Sequence, residues 1–496
     1  MEVFLFLGFC FDDLEGAIAN RPYIISLFNV LMETIFESIL NSCVIIFFIN
    51  LSKKKHMLYR ILKFIIGVGI RLYYKEIRVN NRGNLSNGKK PMIIIANHPN
   101  TLMDAWVIGM ICNQPIYYMA KATLFDSKFK LKLLRSLKMI PINRRGEGVT
   151  DGVDNNDSLS ECYKVLSEGK TLVIFPEGTS YKEKVLRELK TGTARIALET
   201  ERLNDSNLDL QVVAVGINYS QPEKFRSNIL IDIDQPRGVM DHYELYLKDK
   251  RKAVRSLTDQ FRDRLEKVLV TTETKDEEEL LDDIYKVLNT KYIPSDEKGV
   301  QRQVSELKEI KNKIDELKLV QPWRIDELKQ RIKSMDWKLE KMKIRADFLD
   351  RKFRSRLFLR QIFTSVVFIL VALPLAIFGL IHNYLQYLFT DWLVPKLSTD
   401  IEYYAPLAIL VGIVLYPLSY TGFALLVHYL LDFSWGLMLI YVLLMPLIGM
   451  FTYWFFKYLT HISYKWRYMF LMIDHKEALH ELQSEKKQVK ELLFED

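Results

Sequence analysis

Short apolar runs alternate with helical patterns over the first half of the chain, and long apolar runs dominate the second. The run 92–96 (Met-Ile-Ile-Ile-Ala) is uninterrupted, largely β-branched and preceded by Gly88-Lys89-Lys90-Pro91, which predicts a buried strand. Pro99 disfavours the helical region for His98, so the strand ends there. Asn100 or Thr101 can cap a helix over 100–111. Strands are predicted likewise at 115–121, 139–142, 172–175 and 212–217. Helices are predicted over 128–138 and 158–167, the second stopped at Gly169. This alternation over 77–240 predicts an α/β domain, a mixed sheet flanked by helices.

An amphipathic helix is predicted ahead of that domain, over 57–76. Arg60, Lys63, Arg71 and Lys75 share one side at helical periodicity, while Leu62, Ile65, Ile66 and Ile70 point elsewhere. A basic stripe beside a wide apolar face suits an interfacial membrane helix, a core helix with a basic exposed side being the plainer reading. Before it, 1–56 forms an apolar extension. Its stretch 35–51 is apolar apart from Glu37, ends at Lys53-Lys54-Lys55, and could lie in or dip into a membrane. Glu2, Asp12 and Asp13 leave the N-terminus without the basic region of an ordinary signal peptide, and Met57 offers an alternative start.

Residues 241–356 read as mostly helical, with the acidic stretch 271–283 as a solvated loop leading into a helix. Val304, Leu307, Ile310, Ile314 and Leu317 make one apolar stripe. Ile325, Leu328, Ile332, Met335, Leu339 and Met342 make a second, heptad-like one, and Pro322 separates the two. This predicts a helical hairpin turning at 321–322 whose stripes bury each other, homodimerisation through the seam being the alternative.

Membrane segments follow over 361–457. Arg351, Lys352, Arg354, Arg356 and Arg360 precede 363–384, long enough to span a bilayer; 404–431 and 433–456 are two more candidates. Basic residues flank the whole block, which places both flanks, and the α/β domain with them, on the cytoplasmic face of an integral membrane protein. That requires an even number of crossings, whereas hydropathy gives three. Pro374 and Gly379 turning the first segment back as a hairpin would supply the fourth. Residues 458–496 form a charged helical tail.

Composition adds limits. At 496 residues the chain exceeds one small domain, and 49% hydrophobic with 26% charged residues excludes a polytopic protein throughout. A net charge of +8 is mild at this length, and basic runs beside apolar segments favour anionic lipid or phosphate partners over nucleic acid. Cys10, Cys43, Cys112 and Cys162 show no metal spacing and read as reduced, buried thiols.

The candidate chemistry sits at strand ends. An imidazole at the mouth of a strand–loop–helix corner stands where open α/β sheets place their ligands. Neutral His98 can take a proton from an alcohol, and Asp104 is near enough in sequence to orient it and stabilise the imidazolium. The bland reading is a capping device, Thr101 followed three residues later by Asp104. A second apolar strand runs into Phe175-Pro176-Glu177-Gly178-Thr179-Ser180, with a glycine where backbone can approach a ligand.

This pair of motifs resembles the glycerophosphate acyltransferase family, which includes the bacterial lysophosphatidate acyltransferases. The family has an Asn-His motif with an Asp shortly after; four residues separate His and Asp in most members, and five do so here. The longer spacing resembles the fungal glycerol-3-phosphate and dihydroxyacetone-phosphate acyltransferases, as do the C-terminal membrane segments. Arg144 aligns with the second motif, an apolar run ending in Asp/Asn-Arg. The stretch 176–180 matches the third, Lys190-Thr191-Gly192 resembles the family's Lys-x-Gly helix start, and Ala214 replaces the proline common in the fourth. The resemblance covers about residues 57–240. It implies acyl transfer from acyl-CoA or an acyl carrier protein to a hydroxyl of glycerol 3-phosphate, or alternatively of lysophosphatidate. His98 would be the general base, oriented by Asp104. Arg144, Glu177, Gly178 and Thr179 would bind the acceptor, with Glu177 holding Arg144 or an acceptor hydroxyl; Lys121 and Lys190 would add charge. No covalent intermediate, metal or redox cofactor is implied. The contrasting reading is a catalytically silent membrane adaptor with the helical hairpin as its working surface.

Overall fold

The computed structural model describes residues 55–86, 90–143, 155–288, 298–350 and 355–495. The expectations for 1–54 and for Arg144 lie outside them. The chain enters through α1 (Lys55–Tyr73) and β1 (Glu76–Asn80), then β2 (Met92–Ala96), α2 (Thr101–Ile111), β3 (Ile116–Lys121), α3 (Lys128–Ser136) and β4 (Met139–Ile142). It continues through α4 (Asn155–Ser167), β5 (Thr171–Ile174), α5 (Gly192–Leu203), β6 (Gln211–Tyr219), β7 (Asn228–Ile233) and β8 (Arg237–Gly238). Gly169, at φ +70°, supplies the left-handed turn that stops α4.

The strands form one mixed sheet in the order β1-β7-β6-β2-β5-β3-β4, with β8 also pairing with β6. The run β6-β2-β5-β3-β4 is parallel, and β7 reverses direction against β6. Successive side chains of β2 serve opposite faces. Ile93 and Ile95 join a core with Cys162 and Leu166 of α4, Ala197 of α5 and Phe261. Met92, Ile94 and Ala96 join another with Ile70, Met103 and Ile108. A strand covered on both sides has no reason to alternate polar and apolar residues, hence the unbroken Ile93-Ile94-Ile95.

Helix α1 buries Leu58, Ile70 and Tyr73 but leaves Phe64, Val68 and Leu72 exposed beside Arg60 and Arg71. The helix is thus packed on one side and presents an apolar, basic-edged surface on the other. Cys112 and Cys162 are buried thiols, each pushed up to about 12 by burial.

Beyond the sheet come α6 (Tyr243–Lys248), α7 (Lys250–Val268), α8 (Lys275–Leu288), α9 (Gly299–Val320) and α10 (Pro322–Met342). The expected solvated loop over 271–283 is largely helix. The Thr274 hydroxyl accepts from the backbone N–H of Glu277, and Leu280, Leu281, Ile284, Val287 and Leu288 recur at helical spacing and are buried; the acidic residues hid that stripe. The hairpin turns at Gln321 with Pro322 opening α10, where its missing N–H costs no intrahelical bond. Its stripes do not simply bury each other. They share one core with α8 and with Leu479, Leu482, Val489 and Leu493 of the terminal helix α14 (Lys476–Phe494), so the seam is covered within the chain.

Among the described residues, three helices are long and apolar enough to cross a membrane: within α11 (Ser355–Leu397), in α12 (Tyr404–Leu431), and in α13 (Trp435–Asp474). The hairpin expected at Pro374 and Gly379 is absent, since α11 runs continuously through both. Pro374 removes one backbone donor, a loss that apolar helices tolerate when a neighbour supports them. Gly379 lets α13 come close, a Cβ there colliding with Thr452 Oγ1. At 1.5 Å per residue α11 is about 65 Å long, twice the hydrocarbon thickness, so part of it stands outside a bilayer.

Leu328 is fully buried in the shared helical core. Leu328→Ala is expected to cost about 2–5 kcal/mol, read as a lower unfolding midpoint in detergent. An unchanged midpoint would mean that α10 is not packed against α8 and α14.

Candidate active site

Because β2, β5, β3 and β4 are parallel and adjacent, their carboxyl ends share one sheet edge. His98 follows β2, Glu177 follows β5 and Lys121 closes β3. Strand spacing puts β3 roughly 10 Å from β2 across the sheet. Asn97 fixes the end of β2: its amide donates to the Ile217 carbonyl of β6 at 3.0 Å and accepts from the Ile217 N–H at 2.8 Å.

His98 Nδ1 lies 2.9 Å from Asp104 Oδ2. Asp104 is fully buried, on the first turn of α2, and His98 keeps 13% of its side chain exposed. Asp104 Oδ2 also accepts from the backbone N–H of Asn100 at 2.7 Å, and Oδ1 accepts from the Tyr219 hydroxyl at 2.8 Å. The Thr101–Asp104 capping box is not formed: Asn100 stands at the N-cap, its N–H goes to Asp104, and the Thr101 hydroxyl is bonded elsewhere, whereas the His98–Asp104 contact is made. Burial and the Asp104 charge push the Tyr219 hydroxyl well above its ordinary range, so it stays a donor. With Nδ1–H given to Asp104, Nε2 of neutral His98 is free to accept a proton. The ring stacks on Phe175 with centroids 4.0 Å apart and planes at 11°, which fixes its plane.

Glu177 is buried and is a strut. Its Oε1 accepts from the backbone N–H of His98 at 3.0 Å, and its Oε2 from that of Arg187 at 3.3 Å. Its described partners are thus backbone amides; Arg144, the partner expected from the resemblance, lies outside the described residues. Gly178 takes φ +79°, the left-handed region, with Lys190 alongside. The turn is closed by Lys190 N–H donating to the Pro176 carbonyl at 2.7 Å. Thr179 and Lys190 are exposed at this rim, and α5 begins at Gly192.

His98 opens into a cleft of about 780 Å³ on the β6 side, lined also by Tyr181, Lys182, Tyr219 and, from α9, Val300 and Val304. The lining holds eight carboxylates (Glu177, Glu183, Glu223, Glu278, Glu279, Asp282, Asp283, Glu402) against four lysines. Lys121 and Lys190 are not part of it. Sequence reasoning paired His98 with Asp104 but gave no role to Tyr219, Phe175 or Asn97. The first lies 115 residues from its partner; Phe175 and Asn97 stood inside the motifs already singled out.

Residues 76–218, from β1 to the end of β6, match the family model described as Acyltransferase. An uncharacterized acyltransferase of Schizosaccharomyces pombe is 32% identical over 135 residues, 27% of this chain and 20% of that protein. Glycerol-3-phosphate O-acyltransferase 1 of Saccharomyces cerevisiae is 30% identical over 123 residues, 24% of this chain and 16% of that protein. The 1-acyl-sn-glycerol-3-phosphate acyltransferase of Bacillus subtilis is 31% identical over 122 residues, 24% of this chain and 56% of that protein. Each match covers less than two thirds of the relative's own length.

Burial pushes the Glu177 carboxyl up from its ordinary value, against the two backbone N–H groups that favour its charge. A folded-state value above the unfolded one contributes stability that is fully present at acid pH and lost as pH rises through the folded value. Glu177→Gln does not titrate. The unfolding midpoint of the parent should therefore fall relative to that of Glu177→Gln as pH rises from the ordinary glutamate range through the raised folded value; paired thermal melts read it, and a constant or opposite difference contradicts it.

Proposed function

We propose that the chain is a membrane-bound glycerophospholipid O-acyltransferase. It moves an acyl group from a thioester, acyl-CoA or acyl carrier protein, to a hydroxyl of a glycerophosphate. The observation that carries this is the His98–Asp104 pair at 2.9 Å, held at a parallel-strand edge and open to a cleft. His98 Nε2 takes the hydroxyl proton as the oxygen attacks the thioester carbonyl. The tetrahedral intermediate expels the thiolate, which receives that proton from His98. Asp104 stabilises the imidazolium between the two transfers. The thiolate is a good leaving group, so no acyl-enzyme is needed.

Charge divides the site. The carboxylate-rich cleft on the β6 side repels phosphate, whereas Lys121 and Lys190 lie outside it. Phosphate of the acceptor is therefore assigned to the β3–β4 side, with Arg144, Lys121, Lys190, Gly178 and Thr179; Glu177 supports His98 from beneath. The apolar outer face of α1 and the three bilayer-length helices hold the protein at a membrane, and the basic flanks of the block favour the cytoplasmic face for the sheet domain.

Glycerol 3-phosphate is the acceptor we favour, because the five-residue His98–Asp104 link and the C-terminal membrane block resemble the fungal enzymes that acylate it. Purified protein in liposomes, given labelled acyl-CoA or acyl carrier protein thioester with either acceptor, tests this beside His98→Ala. Glycerol 3-phosphate should be acylated, with His98→Ala slower by about 10²–10⁴-fold. Turnover of lysophosphatidate alone would keep the mechanism and change the acceptor. Equal rates in parent and His98→Ala would refute general-base catalysis by His98.

A further inference from the structure

The loop joining α11 to α12 comes from the membrane block, yet it touches the catalytic corner. The Thr101 hydroxyl donates to the Glu402 carbonyl at 3.0 Å, and the backbone N–H of Lys182 donates to Glu402 Oε1 at 3.3 Å. Ile401 and Glu402 line the same cleft as His98. We propose that this loop is a wall of the catalytic cleft and that Glu402 is a positioning residue for the His98–Asp104 corner. The role of the corner rests on the acyl-transfer reading above; the clamp itself does not.

Thr101 lies in the five-residue link between His98 and Asp104 and has φ +41°. A β-branched residue in the left-handed region is an outlier that persists only where its surroundings hold it. Thr101 is nearly buried, and its hydroxyl has Glu402 as partner. The five-residue link is therefore completed by a strained turn anchored to the membrane block.

The second arm of the clamp runs through Tyr181 and Lys182. The Tyr181 N–H donates to the His98 carbonyl at 3.2 Å, and the next N–H along the chain donates to Glu402. Lys182 Nζ is in turn paired with Glu223 at 2.7 Å. Glu402 thus reaches His98 from two directions, through Thr101 on the helix side and through 181–182 on the cleft side. Its own place is fixed by α12, whose Ala405 and Ile409 are buried in one core with Met103 and Ile108 of α2. Gly69 of α1 makes room there, since a Cβ would come 2.8 Å from Ile409. Two bilayer-length helices therefore end at the mouth of the cleft, so a substrate held in the bilayer meets His98 in a register set by this loop.

The test uses the full chain in liposomes with four variants. Thr101→Val keeps shape and loses the donor, while Thr101→Ser keeps the donor. Glu402→Ala keeps the backbone carbonyl that Thr101 uses but loses the side-chain acceptor of the Lys182 N–H, while Glu402→Gln keeps a side-chain carbonyl oxygen there. Misplacing a catalytic group by about 1 Å costs up to about 100-fold. Thr101→Val and Glu402→Ala should lower kcat by about 10-fold with little change in KM for the thioester, and Thr101→Ser and Glu402→Gln should restore most of it. Unchanged kcat in Thr101→Val and Glu402→Ala overturns the proposal, as does a rise in KM alone. Hydrogen exchange reads the clamp without turnover: amides of 98–104 should exchange about 10-fold faster in Thr101→Val, and those of 181–182 in Glu402→Ala. Unaltered protection overturns the proposal even if the parent acylates neither acceptor, and a parent no faster than His98→Ala bears on the function alone. If Glu402→Ala does not fold, Thr101→Val carries both readouts.

Discussion

A fully buried carboxylate must be surrounded by donors, and Asp104 is the charge around which the strand–helix corner at His98 is arranged. Leaving such a group unpaired would cost several kcal/mol or force it to neutralise. Three donors converge on it: an imidazole from the end of β2, a backbone amide from the start of α2 and a phenol from the end of β6. Each comes from a different element, so the carboxylate ties strand, helix and neighbouring strand into one geometry. Asn97 locks the same two strands a residue earlier, and Glu177 ties β5 to the His98 backbone. The His98 ring is thereby fixed in tautomer, in plane and in height above the sheet, and none of those constraints uses Nε2.

That economy explains why Glu177 contributes most through backbone. A carboxylate near a phosphate-binding site would repel it; one whose oxygens face two N–H groups spends its charge on the local fold. The same electrostatic logic separates the two sides of His98. Eight carboxylates against four lysines make the β6-side cleft a poor host for a polyanion. Apolar residues from α9, Val300 and Val304, also line it.

Local patterns were legible in the chain. The apolar strands, the Pro99 stop, the Gly169 turn and the Gln321–Pro322 hairpin follow from residue chemistry within a few positions, and so does the His98–Asp104 contact across six. What was not legible depended on distance or on competition between signals. Tyr219 reaches Asp104 across 115 residues and Glu402 reaches Thr101 across 301, with no local mark on either. Pro374 is a breaker by its own chemistry but sits in a helix whose neighbour supports it. Acidic residues made 271–283 look solvated although Leu280, Leu281 and Ile284 kept helical period beneath them. The hairpin stripes were read as a pair, when the terminal helix α14, far along the chain, completes their core.

The five-residue link between His98 and Asp104 ties these observations together. A long link in a strand–helix corner has slack to take up, because the imidazole and carboxylate must still meet at hydrogen-bond distance. Here the pair does meet, and the surplus backbone is taken up at Thr101 in a conformation that threonine avoids unless it is held. What holds it is a loop between two membrane-length helices, itself buried at its α12 end in the core of the catalytic domain. The longer link therefore makes sense together with the C-terminal block: it offers that block a point of attachment within three residues of the orienting carboxylate. A block without the 400–403 loop would leave the strained turn unsupported.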